Sequence, residues 1–182
     1  MIYKEFKGKK LSALGMGCMR LPTYGEDKTI DEAKTAEMFD YAIKNGINYF
    51  DTAFYYCHEN SEIAVGKALK PIRDKVYIST KCPMDRMKKP EDFAGMLEKS
   101  LAKLDTDYVD FYHFWGINRK VFDEVIVPLG LLEEAKKLKA QGKIRHISFS
   151  FHDSPDALKY IIDNAPEMES VLLQYNLLDR AN

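Results

Sequence analysis

Two hydrophobic periods alternate along this chain. Short apolar runs of strand length stand at 47–51, 76–81, 108–115, 144–150 and 171–175. Between them, apolar residues recur three and four apart, the spacing of a helix with one buried face. Ala33, Ala36, Phe39 and Ile43 share such a face, with Thr29 and Glu32 spaced as a capping box and Gly46 placed to end the helix. Ser61 to Leu69 reads as the next helix, closed by Pro71, and Pro90 opens one whose inner face carries Phe93, Leu97, Leu101 and Leu104. Pro128 predicts a helix start, running through Leu131, Leu132, Ala135 and Leu138 to Gly142. Ser154 caps a last helix with Pro155 in its first position, through Leu158, Ile161 and Ile162. At the N-terminus, Tyr3 to Phe6 and Leu11 to Leu14 flank the turn Lys7-Gly8-Lys9-Lys10 and predict a hairpin. Leu14 to Met19 then forms a short, glycine-punctuated strand.

Strands that recur about every thirty residues with helices between them require a mostly parallel sheet. A doubly wound sheet would place G-x-G-x-x-G at its first strand–helix turn. Here Gly15-Met16-Gly17 runs instead into Cys18-Met19-Arg20. Polar residues gather at the C-terminal ends of the apolar runs, which is where a strand–helix barrel keeps its chemistry. A closed barrel takes roughly 250 residues and at least about 200, whereas the chain has 182. The expected fold is therefore α/β: a parallel (β/α)8 TIM-type barrel, incomplete, with about six of eight strands and an N-terminal hairpin, in one domain over residues 1–182.

The chemistry concentrates in two strand ends. Asn48-Tyr49-Phe50 leads into Asp51-Thr52-Ala53-Phe54-Tyr55-Tyr56, and Val76-Tyr77-Ile78 leads into Ser79-Thr80-Lys81. A phenol of pKa ~10 is a poor acid at neutral pH, but a nearby ammonium stabilises the phenolate and lowers that value. A carboxylate keeps the ammonium charged and aimed. Asp51, Tyr56 and Lys81 could together give a proton to a carbonyl oxygen while hydride reaches its carbon. Taken singly, each has an ordinary reading: a capping carboxylate, a packed ring and a surface cation.

Bulk properties narrow the partners. Hydrophobic residues make up 46% and charged residues 30% of the chain, an ordinary globular balance, and the net charge of −1 gives no support for nucleic acid or an anionic membrane as partner. Charges interrupt the first residues, Met1 to Lys7, where a signal peptide needs an apolar run, and no stretch approaches the ~18 apolar residues of a spanning helix. A cytoplasmic location is expected. The three cysteines, Cys18, Cys57 and Cys82, are widely spaced, and no pair has the close spacing of a zinc or iron–sulfur site, so no metal is expected. They read as small buried thiols, although Cys57 follows Tyr56 and Cys82 follows Lys81.

At this point the motifs resemble those of the aldo-keto reductases. Gly15-Met16-Gly17-Cys18-Met19-Arg20-Leu21-Pro22 is similar to that family's first barrel strand. Asp51-Thr52-Ala53 with Tyr56 is similar to its D-T-A-x-x-Y segment, and Val76 to Lys81 to its lysine strand. Leu104 to Tyr112 resembles the approach to its fourth strand, Gly142 to Ser150 the fifth, and Gln174-Tyr175-Asn176 the sixth. The first and fifth strands are worded most like a bacterial branch that often carries an added C-terminal iron–sulfur region. The resemblance implies an NADP(H)-dependent oxidoreductase that reduces aldehydes or ketones. Tyr56 would be the acid, Lys81 its tuner and Asp51 the partner of the lysine. Ser150 and Gln174 match residues that hold the nicotinamide carboxamide, and Gly17, Cys18 and Met19 match the floor of the site beside the cofactor. Phe54, Tyr55 and Trp115 are expected near the mouth, suiting a small apolar or aromatic carbonyl substrate.

This sequence also departs from the family pattern. The family's usual histidine, five residues after the match to Asp110, is replaced by Trp115, whose indole can donate one hydrogen bond. His113 lies two residues earlier, on the same strand face but ~6.6 Å deeper, and is expected to be a packed interior residue. Phe151 stands where many relatives have an asparagine. The loops that hold the cofactor phosphates follow two further strands that this sequence does not contain. Either the chain is a fragment of a longer reductase, or it is a catalytically impaired or non-catalytic module that binds a nucleotide or a partner, and a Schiff-base barrel using Lys81 is a third reading. With six strands, the first and last become open apolar edges, so self-association through them is expected.

Overall fold

A computed structural model describes residues 1–25, 29–176 and 178 of the chain. The hairpin pairs β1 (Tyr3–Phe6) with β2 (Lys9–Ser12) in antiparallel register, Phe6 opposite Lys9. Its turn is two residues long, two fewer than expected, because Lys7 (φ 45°) and Gly8 (φ 77°) both take left-handed conformations. That is the backbone of a type I′ turn, whose twist matches the strands it joins. β3 is short, Met16–Gly17, where a run from Leu14 to Met19 was expected. A small antiparallel pair follows, β4 (Thr23–Tyr24) with β5 (Thr29–Ile30). Helix α1 spans Glu32–Lys44 and β6 spans Tyr49–Asp51. A tight turn, Tyr56–Glu59, leads into α2 (Ser61–Leu69). Then come β7 (Tyr77–Pro83), α3 (Pro90–Leu104), β8 (Val109–Ile117), α4 (Leu131–Ala140), β9 (Ile144–Phe151), α5 (Pro155–Asn164) and β10 (Ser170–Leu173).

Two local expectations change. Helix α1 is capped by Asp31, whose carboxylate accepts from the Lys34 N–H at 3.0 Å; Thr29 is occupied in β5. The helix consequently buries Thr35, Phe39 and Ala42 and leaves Ala33 and Ala36 exposed. Pro128 does not begin α4. A short helical stretch, Arg119–Val121, continues into a π turn at Phe122–Ile126, and Gly130 (φ 62°) breaks the chain before α4 starts at Leu131.

The chain forms two compact units, residues 1–80 with 100–109, and residues 81–99 with 110–182. In the first, β3 and β7 flank β6 and all three run parallel, with Asp51 opposite both Gly17 and Ser79. Phe39 of α1 stacks on Phe50 at 5.2 Å between ring centroids, so the helix covers the Phe50 face of β6. Alternation then turns Asp51 to the opposite face. Thr80 faces the helices too, donating from Oγ1 to Glu62 of α2 at 2.6 Å, which leaves Ser79 on the Asp51 side. Gly66 of α2 permits a close approach to the end of α3: a Cβ there would lie 2.5 Å from the Leu104 carbonyl oxygen.

In the second unit, the end of β7 is followed in the sheet by β8, β9 and β10 in chain order, and β10 pairs parallel to β9. The expected inner face of α3 is buried throughout: Phe93, Leu97, Leu101 and Leu104 are each 6% exposed or less. Phe93 packs on Tyr112 and Phe114 of β8, at 5.2 and 4.8 Å. Phe111, His113 and Trp115 therefore occupy the other face of that strand. Phe111 stacks on His146 at 4.9 Å, which carries His146, Ser148 and Ser150 of β9 to the same face. Ser154 caps α5 by accepting from the Ala157 N–H, with Pro155 first in the helix, as expected. The described residues thus hold six parallel strands alternating with helices behind an antiparallel hairpin, the architecture expected for an incomplete barrel.

Candidate active site

In the first unit, Asp51 ends β6 and its carboxylate is fixed by a neighbour. The Ser79 hydroxyl donates to Asp51 Oδ1 at 2.6 Å across the register pair that joins β6 to β7. The main chain continues this junction, with Thr52 N–H donating to the Ser79 carbonyl at 2.9 Å and Cys18 N–H to the Asp51 carbonyl at 2.8 Å. The latter bond places the Gly17-Cys18-Met19 segment against the end of β6. Cys18 is fully buried, whereas Met19 is 43% exposed. A buried hydroxyl chain locks this segment from behind. Ser61 Oγ donates to the Cys18 carbonyl at 2.7 Å, and the 2.8 Å contact between Thr52 and Ser61 then has Thr52 as donor, since Ser61 has one proton to give.

Tyr56 follows Ala53 by one tight turn, its N–H donating to the Ala53 carbonyl at 3.1 Å. The next three residues are unusual: Cys57, His58 and Glu59 are all left-handed, at φ 50°, 53° and 67°. None is glycine, and each such conformation costs roughly 1–2 kcal/mol. Asn60 spans the turn, its side-chain amide donating to the Cys57 carbonyl at 3.3 Å and the His58 carbonyl at 3.0 Å. The Cys57 thiol lies 3.4 Å from the Met19 carbonyl.

Phe54 and Tyr55, just before Tyr56, pack together. The Phe54 and Tyr55 rings meet edge to face at 5.5 Å, and Phe54 is buried with the Lys103 ammonium 3.6 Å above its ring. Lys103 also lies 3.4 Å from Glu59 and 3.8 Å from Glu62. Glu62 is fully buried, and that burial raises its carboxyl above the ordinary carboxylate range, against the lowering effect of the Thr80 hydroxyl and the Lys103 charge.

The second unit carries the remaining predicted residues. Lys81 is 1% exposed near the end of β7, a depth at which an ammonium requires close polar partners. His113, 2% exposed, sits two residues before Trp115 on one face of β8, as strand alternation predicts for a packed interior residue. Ser150 accepts from the Gly116 N–H at 2.7 Å. Beyond the end of β10, Gln174 lines a cavity of about 350 Å³ with Phe151, His152 and Leu173.

Sequence reading assigns Ser79 no role beyond its place before Lys81, and it gives no notice of the left-handed turn or of Asn60. Ser79 was findable, because it stands two residues before Lys81 and shares its strand face. Cys57, His58 and Glu59 give little local signal for left-handed backbone, and Asn60 has meaning only once that turn exists. Among the described residues, no helix is long and apolar enough to cross a membrane, and no group of three or more His, Cys, Asp or Glu residues could hold a metal ion.

The family comparisons fit this geometry. The aldo/keto reductase family model matches residues 13–182. A probable aldo-keto reductase 1 of Glycine max is 34% identical over 162 residues, covering 84% of this chain and 45% of the relative. The crystal structure of the thermostable aldo-keto reductase Tm1743, in complex with the inhibitor epalrestat, superposes with a TM-score of 0.80 at 30% identity, covering 98% of this chain and 64% of that one. An aldo/keto reductase from Klebsiella pneumoniae, in complex with NADP and acetate, shares the fold with a TM-score of 0.78 at 22% identity, covering 93% and 56%. The chain spans about half the length of the curated relatives it matches. The family model's match over residues 13–182, most of the chain, shows that this chain belongs to the aldo/keto reductase family.

Proposed function

We propose that the chain supplies the proton-donating half of an NADP(H)-dependent carbonyl reduction, with aldehydes or ketones as substrates. Tyr56 gives its phenolic proton to the carbonyl oxygen, Lys81 stabilises the resulting phenolate, and Asp51 keeps the lysine charged and aimed. Bound NADPH would supply the hydride. The observation that carries this reading is the Ser79–Asp51 hydrogen bond. It holds the carboxylate on one face of β7, and Lys81, two residues farther along, belongs to that face by alternation.

The residues present suit the nicotinamide end of the cofactor. A carboxamide needs both a donor and an acceptor. Ser150 Oγ already accepts from the Gly116 N–H and keeps its own proton to give, while the Gln174 amide offers both kinds of group. Gly17, Cys18 and Met19 would form the floor beside it. Tyr55 and Trp115 would shape the carbonyl pocket, with Phe54 backing Tyr55 from its buried position. The Klebsiella relative, crystallised with NADP, shares this fold and is consistent with the same cofactor class.

The test is cofactor-linked reduction of a panel of small aldehydes and ketones, followed by the loss of reduced-nicotinamide absorbance, alongside NADPH binding read by fluorescence. Binding with turnover that disappears in Tyr56→Phe supports the assignment. Binding without turnover by the native chain would reject it in favour of a non-catalytic nucleotide-binding module.

A further inference from the structure

Three consecutive left-handed residues that are not glycine need something to hold them. Main-chain bonds close the ends of the turn: Asn60 N–H donates to the Cys57 carbonyl at 3.1 Å, and Ala64 N–H to the Asn60 carbonyl at 3.1 Å. Those bonds fix where the turn rejoins α2 and leave the His58 carbonyl to the Asn60 side chain. That amide reaches two successive carbonyls, Cys57 at 3.3 Å and His58 at 3.0 Å, from inside the same turn. A left-handed run turns successive carbonyls to one side, where a single –NH2 group can take both. The residue immediately before the run is Tyr56.

We propose that Asn60 is a positioning residue for the proton donor: its carboxamide clamps the Cys57–Glu59 turn and thereby sets the direction in which the Tyr56 side chain leaves the backbone. The proposal rests on the reading of Tyr56 as the acid, and it gives Asn60 a role through the main chain, by its bonds to the Cys57 and His58 carbonyls. A donor is indispensable in this role, because both targets are carbonyl oxygens. Aspartate at this position has the same shape but offers only acceptors at neutral pH and would repel the two carbonyls. Glycine within the turn, in contrast, adopts left-handed backbone freely and removes the need for a clamp.

Two readouts separate the clamp from the chemistry. The first uses thiol reactivity and does not depend on activity. Cys18 and Cys82 are fully buried and Cys57 is partly exposed against the Met19 carbonyl, so the fast-reacting thiol toward Ellman's reagent is Cys57, with Cys57→Ser as the control. Asn60→Asp and Asn60→Ala should each raise that rate about five- to tenfold, the scale of one or two lost hydrogen bonds. His58→Gly in the Asn60→Ala background should restore the slow rate. The second readout is turnover. Asn60→Asp should lower kcat about tenfold while leaving NADPH affinity unchanged, and His58→Gly in the Asn60→Ala background should recover most of the kcat lost on Asn60→Ala. An unchanged thiol rate in both Asn60 variants would overturn the clamp. A raised thiol rate with undiminished kcat would overturn the positioning role. A native chain that reduces no carbonyl would instead defeat the proposed function, and with it the positioning role, while the thiol rates still judge the clamp.

Discussion

The Ser79 hydroxyl and the Asp51 carboxylate face each other across one register pair and meet at 2.6 Å, so the acidic group of the candidate site is oriented by the strand that also carries Lys81. Hydrogen bonds to charged acceptors contribute about 1.5–3 kcal/mol when partly buried. Ser79→Ala should therefore remove one anchor of the carboxylate and lower kcat roughly tenfold, with a loss of stability of about 1–2 kcal/mol. Ser79→Thr should retain much of both. Steady-state kinetics and urea unfolding check the pair. A fully active Ser79→Ala would mean that the carboxylate needs no such anchor.

For the proposed proton donor, Tyr56→Phe should lower carbonyl reduction by about two to four orders of magnitude, the usual contribution of a positioned acid, with NADPH binding little changed. Tyr55→Phe should keep its activity, because its ring packs against Phe54. The opposite pattern would transfer the role to Tyr55.

Glu62 makes stability depend on pH in a definite direction. Its folded carboxyl titrates above its ordinary value of 4.5, chiefly because of burial. The fold then holds more protons than the unfolded chain in the window above 4.5. Stability is complete below that window and falls as pH rises through the folded pKa. Glu62→Gln keeps an acceptor for the Thr80 hydroxyl and removes the titrating group, so it should flatten this part of the profile and stabilise the fold at neutral pH. Thermal melts of both proteins between pH 4 and pH 8, set about the usual carboxylate range, would show it. An unchanged slope would mean that another group sets it.

Gly66→Ala should destabilise the first unit by about 1–3 kcal/mol, because the added methyl group meets the Leu104 carbonyl at 2.5 Å, a main-chain atom that cannot rotate away. Ala64→Gly, on the same helix, provides a control for helix propensity, at about 1 kcal/mol. An equally mild effect at both positions would show that α2 and α3 have room to separate.

The two end strands also predict behaviour in solution. β3 bonds only to β6 and β10 only to β9, leaving each with one unpaired edge among the described residues. The purified chain should accordingly self-associate or melt with weak cooperativity. Leu172→Lys, at a position 42% exposed in β10, should reduce association in light scattering. A sharply melting monomer would show that these edges are already protected.

Much of the fold was legible because it follows from spacing. The stripe Phe93, Leu97, Leu101 and Leu104 is buried as its period requires, and the strand bearing Lys81 lies where the apolar run placed it. The errors came from rival local chemistry. Thr29 and Glu32 have the spacing of a capping box, but Thr29 pairs in a strand and Asp31, with its shorter reach, caps instead. Pro128 has the credentials of a first helical residue, yet a left-handed glycine two positions later moves the start. The candidate site was named from motif order, since Asp51 and Lys81 close apolar runs and Tyr56 follows Asp51 by five residues. Their orientation was not legible there, because it depends on Ser79 and on a backbone turn whose residues give little notice of it.

That left-handed turn bears on the order in which the molecule assembles. Nothing in Cys57-His58-Glu59 favours its conformation in an isolated peptide, so it cannot serve as a nucleus. It should form only after β6 and α2 have brought its two ends together, and on unfolding it should be the first segment of that region to let go. Amide hydrogens of residues 57–59 should exchange well ahead of those in the flanking strand and helix. The loop that presents Tyr56 would then be the least durable part of a sturdy frame, and mild denaturant should silence the phenol before the strands around it melt.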